Sequence, residues 1–589
     1  MRAMKPAAAA EPADKNEGPM LKAMLWFAGI GAVAAALAAA GCSGVIDDNH
    51  GGGPGQMGNQ GNPGSGGSTV TPPGKCTEGE SMAQARLWRL TDQEYVNVVA
   101  EVFGVRMPAE VTQAQSAAAD FTATSESPEL TVQTSIVNAY ATAAHTAALG
   151  AVTANLGVFL PCGTTSPTDT CVERFIRNRV SRAFGRPLTD GEVQDLLGIY
   201  HTGVTTESVA AGVRLVIEAT LQSPSFIYRT ELGSGAASGT KKITLTAHEL
   251  ATAVSFALID SVPDDQLWDK AQSGALLKPS VLASEIDRLL ATPAVQANLG
   301  AKAGYWLGVE KLHSASFVPK DPMLFPEFTD SIKNDLYRGA QMFVADMMAN
   351  GKVSDLLSSN KVYANANVAK VYNIPGVTST DLVPVSVPGP DRSAGIISQP
   401  AVMAASAHPN RGDVIHRGLF IYYALVCGTA FPPPPANALD VASRFPADAT
   451  ERQKAQLRAA AAEGCGACHG TFDPLGLTTE QYDPIGRYTP KDASGMPIDA
   501  STTLIRLGAD LDGPVSGLGD LITKLKTGHR VTDCAVLNLS KPILGRDDLA
   551  TDTSCDLQKV KDKLASTGSF SDYYRTLLNS SAFLTRDVP

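Results

Sequence analysis

Between residues 465 and 469 the chain reads Cys-Gly-Ala-Cys-His. Two thiols at this spacing can add to the two vinyl groups of one porphyrin, and a histidine in the next position places its imidazole on the iron of the same ring. The sequence holds nine Cys and nine His in 589 positions, so chance supplies about 0.002 such pentapeptides, too few to entertain accident. Two other chemistries use a C-x-x-C pair. Zinc needs a second ligand pair, and neither another C-x-x-C nor a pair of His spaced for zinc occurs. A dithiol redox couple belongs in a βαβ setting, which the surrounding pattern lacks. The expectation is one covalent haem c, attached through Cys465 and Cys468 and ligated by His469.

The neighbouring residues suggest supporting roles. Asp473-Pro-Leu-Gly476 reads as a turn, in which the Pro474 carbonyl accepts the Nδ1–H of His469 and fixes the ring. Arg487 and Arg417 are candidates to neutralise haem propionates, with a purely structural role as the alternative for both. For the sixth iron position Met496 leads, 27 residues beyond His469, while Met403, His408 and His416 lie upstream in one segment.

Elements must then hold these residues. Thr91 with Glu94, Thr189 with Glu192 and Thr246 with Glu249 each form an S/T-x-x-E capping box ahead of apolar residues at helical spacing. In the first, Tyr95, Val98, Val99, Val102 and Phe103 mark one face. Further helical stretches run over 172–184, 210–222, 281–290, 332–348 and 559–564, and the one clear strand-like alternation lies at 382–387. Breaks fall at the Gly/Ser stretch 233–239, the loop 375–391 and the proline run 432–435. The fold class expected is mainly α, a multi-domain helical assembly with a cytochrome-c-like haem module in the C-terminal third. The boundaries expected are helical domains at 81–160, 161–240 and 241–373, the haem-binding domain at 392–515 and a C-terminal helical domain at 516–589.

The address is written at the N-terminus. From Met20, the expected start of translation, a lysine precedes an apolar run that ends in Ala39-Ala-Gly-Cys42. This resembles the lipobox of bacterial lipoproteins, so residues 1–42 are expected to be a signal peptide whose Cys42 becomes acylated; a retained membrane-spanning helix is the competing reading. A Gly/Pro/Ser-rich tether follows at 43–80, and Ser43 points to the outer membrane. With Cys42, Cys465 and Cys468 assigned, six cysteines remain, which in an exported protein suggests three disulfides. Cys162 with Cys171 is the simplest pair; Cys534 with Cys555 then leaves Cys76 with Cys427, although other pairings stay open. The net charge of −11 argues against a nucleic-acid partner.

The chain resembles the large exported planctomycete-type cytochromes, also seen in myxobacteria, which are built from serial domains of unknown function. The likeness runs from about Leu87 to Arg586 and rests on RLTDQEY (Arg89–Tyr95), FGRPLTDGE (Phe184–Glu192), LQSPSFIYRTELG (Leu221–Gly233) and the segment Leu245–Trp268. It continues through PNRGDVIHRGLF (Pro409–Phe420), Cys465–Tyr488, PIDAS (Pro497–Ser501) and ILGR (Ile543–Arg546). Members often carry a histidine six residues before the first haem cysteine; here that place holds Ala459. The resemblance strengthens the haem assignment and leaves substrate and partner open. The function expected is a membrane-anchored mono-haem c-type cytochrome in extracytoplasmic electron transfer with a redox protein partner. The alternatives are a peroxidase- or oxygenase-like haem enzyme with an open distal site, and a surface-assembly lipoprotein.

Overall fold

A helix begins where side chains can satisfy the backbone donors left over by its first turn. In the computed structural model Thr91, Thr189 and Thr246 each accept from the N–H of the glutamate three residues on, and each glutamate accepts from the threonine N–H in return. All three boxes legible in the sequence therefore open helices. The residues described are 76 and 83–588, apart from 109–110, 112–133, 235–240, 315–316, 388, 390–391, 393–394, 433–444, 447–448 and 462–464. The expected signal peptide with Cys42, and the tether apart from Cys76, lie outside them.

The chain is mainly helical and multi-domain. Its N-terminal part packs α1 (Asp92–Phe103), α2 (Thr134–Phe159), α3 (Asp190–Thr206) and α4 (Val209–Gln222) around one apolar cluster that runs from Leu90 to Val262. The expected face of α1 is buried in it, and Tyr95 stacks on Tyr140 of α2 with ring centroids 5.3 Å apart. A second, larger cluster extends from Leu245 to Phe583. To it belong α5 (Ala247–Ile259), α6 (Pro293–Trp306), α7 (Asp330–Asn350), α8 (Val414–Phe420), α10 (Cys465–Leu477), α11 (Arg530–Leu544) and α12 (Cys555–Thr567), while α9 (Glu451–Ala460) joins α8 and α10 through a small separate cluster of Val414, Ala455 and Leu477. Among the described residues no helix is long and apolar enough to cross a membrane.

Strands β1 (Arg86–Arg89), β2 (Tyr228–Glu231), β3 (Lys242–Thr244), β4 (Lys361–Ala364), β5 (Val383–Ser386), β6 (Thr502–Leu504), β7 (Gly513–Val515) and β8 (Thr585–Asp587) form antiparallel pairs 1–2, 3–8, 4–5 and 6–7. The alternation at 382–387 is thus β5. The pairs of β1 with β2 and β3 with β8 meet at a clasp. Glu231, 2% exposed, accepts from Arg86 Nε and Arg586 Nε at 2.8 Å each, and Arg229 lies at 3.5 Å. Burial alone would raise this carboxyl, but the three guanidiniums outweigh it and hold it down at about 2. Arg86 also donates to the carbonyls of Leu544 and Gly545 at the end of α11, so the clasp ties both ends of the folded body to its middle.

Six cysteines pair as three disulfides, but two of the expected partnerships are corrected. Cys162–Cys171 forms across nine residues. Cys76 pairs with Cys555 and not with Cys427; Cys534 pairs with Cys427 and not with Cys555. The reason lies in the strand geometry. Ala85 donates to the Asp587 carbonyl at 2.8 Å and Asp587 returns a bond to Ala83 at 3.0 Å, which carries the start of the body to the C-terminal helices. Cys427, just past the π turn Ile421–Leu425, is brought to Cys534 because that turn packs on α11.

Candidate functional site

Cys465, Cys468 and His469 all lie at the start of α10. The preceding helix, α9, returns alongside it. A Cβ on Gly466 would stand 2.2 Å from the Ala459 carbonyl oxygen, and Arg452 at the other end of α9 pairs with Glu480 just beyond α10, so the two helices run antiparallel. Helix α8 crosses α10 as closely: a Cβ on Gly418 would meet the Phe472 carbonyl oxygen at 2.1 Å, and one on Gly476 the Val414 carbonyl oxygen at 1.8 Å. Backbone meets backbone here because glycine leaves the space. Gly476→Ala should therefore destabilise the protein by about 1–3 kcal/mol through overpacking. A melting temperature equal to that of the unaltered protein would show that the crossing yields freely.

This packing corrects the reading of Asp473–Gly476 as a turn. The helix continues through Pro474 to Leu477, because the tight crossing of α8 and the burial of Asp473 outweigh the proline's lost N–H. Pro474 is consequently not where His469 finds its acceptor. His469 Nδ1 lies 3.0 Å from Asp473 Oδ1, four residues on along the same face. Asp473, 1% exposed, is engaged on its second oxygen by Arg458 Nε at 2.8 Å, from α9. Arg458 is itself buried, and its Nη2 has no hydrogen-bond partner among the described residues. The His469 ring is 4.9 Å from Phe472, which meets Phe431 at 5.5 Å; Phe431 in turn stacks on Tyr422 at 4.9 Å. Arg506, in the left-handed backbone region at φ 62°, donates to the carbonyls of Gly466 and Ala467 between the two thiols.

Cys465 and Cys468 are half-buried and unpaired, the free cysteines of the described chain. Burial and the neighbouring Cys465 push the Cys468 thiol up, the reverse of the lowered value that an attacking dithiol needs. Among the described residues no three or more His, Cys, Asp or Glu side chains are grouped to hold a bare metal ion.

The other residues singled out in the sequence go elsewhere. Arg417 is buried and donates to the carbonyls of Met403, Thr479, Tyr482 and Asp483, bracing the chain after α10. Arg487 bonds Asp483 at 2.6 Å and pairs with Glu327. His408 and His416 share Asp413, the cap of α8, at 3.3 and 2.5 Å, and Met403 is buried in the core. Met496, 63% exposed, lies in a turn in which the Asp492 N–H donates to the Met496 carbonyl and the Met496 N–H donates to Asp492 Oδ1, each at 2.9 Å. The base of that hairpin is fixed by Gln481, which donates to the Ile498 carbonyl at 3.1 Å. Met496 thus belongs to an exposed hairpin in the chain beyond α10.

Asp473, Arg458 and Arg506 were not found from the sequence. For Asp473 the signal existed, since H-x-x-x-D on a helix places both side chains on one face. For the arginines it did not, because each arrives from another element.

Three family models match the chain, each described as a protein of unknown function: PSD5 (DUF1595) over 171–231, PSD4 (DUF1592) over 245–374, and PSCyt3 (DUF1588) over 393–492. The last, a cytochrome-c-associated domain, covers α8, α9 and α10. No curated protein and no solved structure matches the chain significantly.

Proposed function

Because the chain belongs to the planctomycete-type cytochrome family built from these serial domains, we propose that it is an exported c-type cytochrome. In this reading it carries one covalent haem on Cys465, Cys468 and His469 and passes electrons to a redox protein partner outside the cytoplasm. The observation that carries the proposal is the state of the cysteines. Six of the eight described are paired in disulfides, and the two left free are the pair at haem-attachment spacing, with His469 next in the chain.

The residues fit such a group. The thiols are unpaired, Asp473 holds His469 Nδ1, and Nε2 is left as the ring nitrogen for an axial bond. A bound haem supplies one-electron ferric/ferrous chemistry. The protein's part would be to attach it through Cys465 and Cys468 and to orient the imidazole through Asp473, with Phe472 packed against that ring and Phe431 and Tyr422 behind it.

The disulfides suit an oxidising compartment, and acylation of Cys42 completes the proposal by holding the body at a membrane, probed by fractionation. Cys42→Ala should release the protein into the soluble fraction; a protein without lipid that stays membrane-bound would defeat the anchor. The haem itself is tested by a pyridine haemochrome on protein made with haem-attachment machinery, expected to report one haem per chain. A colourless product would remove the reading.

One observation favours a second reading. Met496, the candidate sixth ligand, is 63% exposed in a hairpin beyond α10, and a methionine that stays there would not supply a thioether to a bound haem. An open position would bind peroxide or oxygen and make the protein a haem enzyme. Rapid CO binding to the reduced form selects this reading; six-coordinate iron that resists CO selects the carrier.

A further inference from the structure

A histidine's basicity depends on what accepts the proton of its second ring nitrogen. The sequence offered a peptide carbonyl at Pro474, but the folded chain presents the Asp473 carboxylate at 3.0 Å from His469 Nδ1. A carboxylate draws that proton more strongly than a carbonyl, because the bond is charge-assisted. It leaves the opposite nitrogen richer in electrons, which favours ferric over ferrous iron and lowers the reduction potential.

Arg458 works against this pull. Its Nε lies 2.8 Å from the other oxygen of the same carboxylate and brings a positive charge to it. Both groups are buried, with Asp473 1% and Arg458 9% exposed, so water and salt screen neither of them well. The pair is also anchored in two different helices: Asp473 belongs to α10 with the histidine, and Arg458 to the antiparallel α9.

We infer that Asp473 and Arg458 form a two-part device that sets the reduction potential of the haem at His469, Asp473 lowering it and Arg458 limiting the fall. Both are positioning residues that act through the imidazole. The inference rests on the haem assignment above.

The test is spectroelectrochemical titration of holoprotein carrying Asp473→Asn, Asp473→Glu, Arg458→Gln or Arg458→Lys. A pyridine haemochrome comes first, and absence of haem from the unaltered protein would overturn the assignment rather than this inference. In haem-loaded protein, Asp473→Asn should raise the potential and Arg458→Gln should lower it. Asp473→Glu should return most of the first shift, and Arg458→Lys should stay near the unaltered value. Removal of such an outer partner typically costs about 10- to 100-fold in metal affinity or activity. Applied to the ferric/ferrous balance, that is about 60–120 mV at 59 mV per tenfold for one electron. Residues that merely hold the helices together would not give shifts of opposite sign. Equal signs, or no shift in either variant, overturn the inference. Where Asp473→Asn fails to fold, Arg458→Gln decides alone: a fall supports the device, and a rise or no change defeats it.

Discussion

Replacing Cys465 and Cys468 together by alanine should abolish the haem-stained band that the unaltered protein gives after denaturing electrophoresis, a change from one haem per chain to none. Both thioether bonds originate in these side chains, and among the described cysteines no other thiol is free to substitute. Cys468→Ala alone should keep one thioether and one unreacted vinyl, which shifts the reduced absorption band to longer wavelength. His469→Ala should leave the thiols in place without their axial nitrogen, and with it the Asp473 contact. The matched control is the pair Cys162→Ala and Cys171→Ala. It opens a loop of nine residues, should cost about 2.7 kcal/mol, and should leave the haem untouched. Haem retained in the Cys465/Cys468 double variant would place the attachment elsewhere.

The second large effect is on stability. Glu231→Gln removes the one carboxylate between Arg86, Arg229 and Arg586. Three guanidiniums then crowd around a neutral amide, and breaking a buried ion cluster in this way costs about 3–5 kcal/mol. The pH dependence follows from the same group. Its folded value, about 2, lies below its ordinary value of 4.5, so the folded state binds the proton more weakly. The stability it contributes is present above about pH 4.5 and is lost as pH falls towards 2. At 1.36 kcal/mol per unit the contribution is about 3 kcal/mol. Denaturant titrations at pH 7 and pH 3 should show the unaltered protein losing more stability on acidification than Glu231→Gln. Equal losses would mean that the clasp takes no part in the acid response.

What could be read in the sequence divides along the range of the interactions. The capping boxes at Thr91, Thr189 and Thr246 are closed within four residues, so the local chain specifies them. Helix α2, with 26 residues, escaped because its many scattered alanines blur the contrast between faces. The helical continuation through Pro474 escaped for the opposite reason: local propensity favours a turn, and only the crossing with α8 overrules it. The attachment motif needed no tertiary information. The partner of the His469 ring did, in part: Asp473 is near in sequence, but its burial and its salt bridge with Arg458 depend on α9. Disulfide connectivity was beyond reach, since six cysteines allow 15 pairings, and what selects among them is long-range: the bonds of Ala83 and Ala85 with Asp587 and the packing of the turn Ile421–Leu425 on α11.

That long-range closure has a consequence for how the protein is made. Cys76 and Cys555 are 479 residues apart, and at about 5–20 residues per second the second thiol is synthesised roughly 25–100 s after the first. In that interval the early thiol is exposed to wrong partners in the order in which they emerge. Cys162 and Cys171 are nine residues apart and can lock together almost at once, which removes two competitors. Cys427 then waits 107 residues for Cys534, and over that stretch it and Cys76 are both unpaired. Mispairing of these two is thus the characteristic error of biogenesis, and a disulfide isomerase is the folding helper whose absence should lower the yield most. The thiol made first is retired only by one of the last helices to appear.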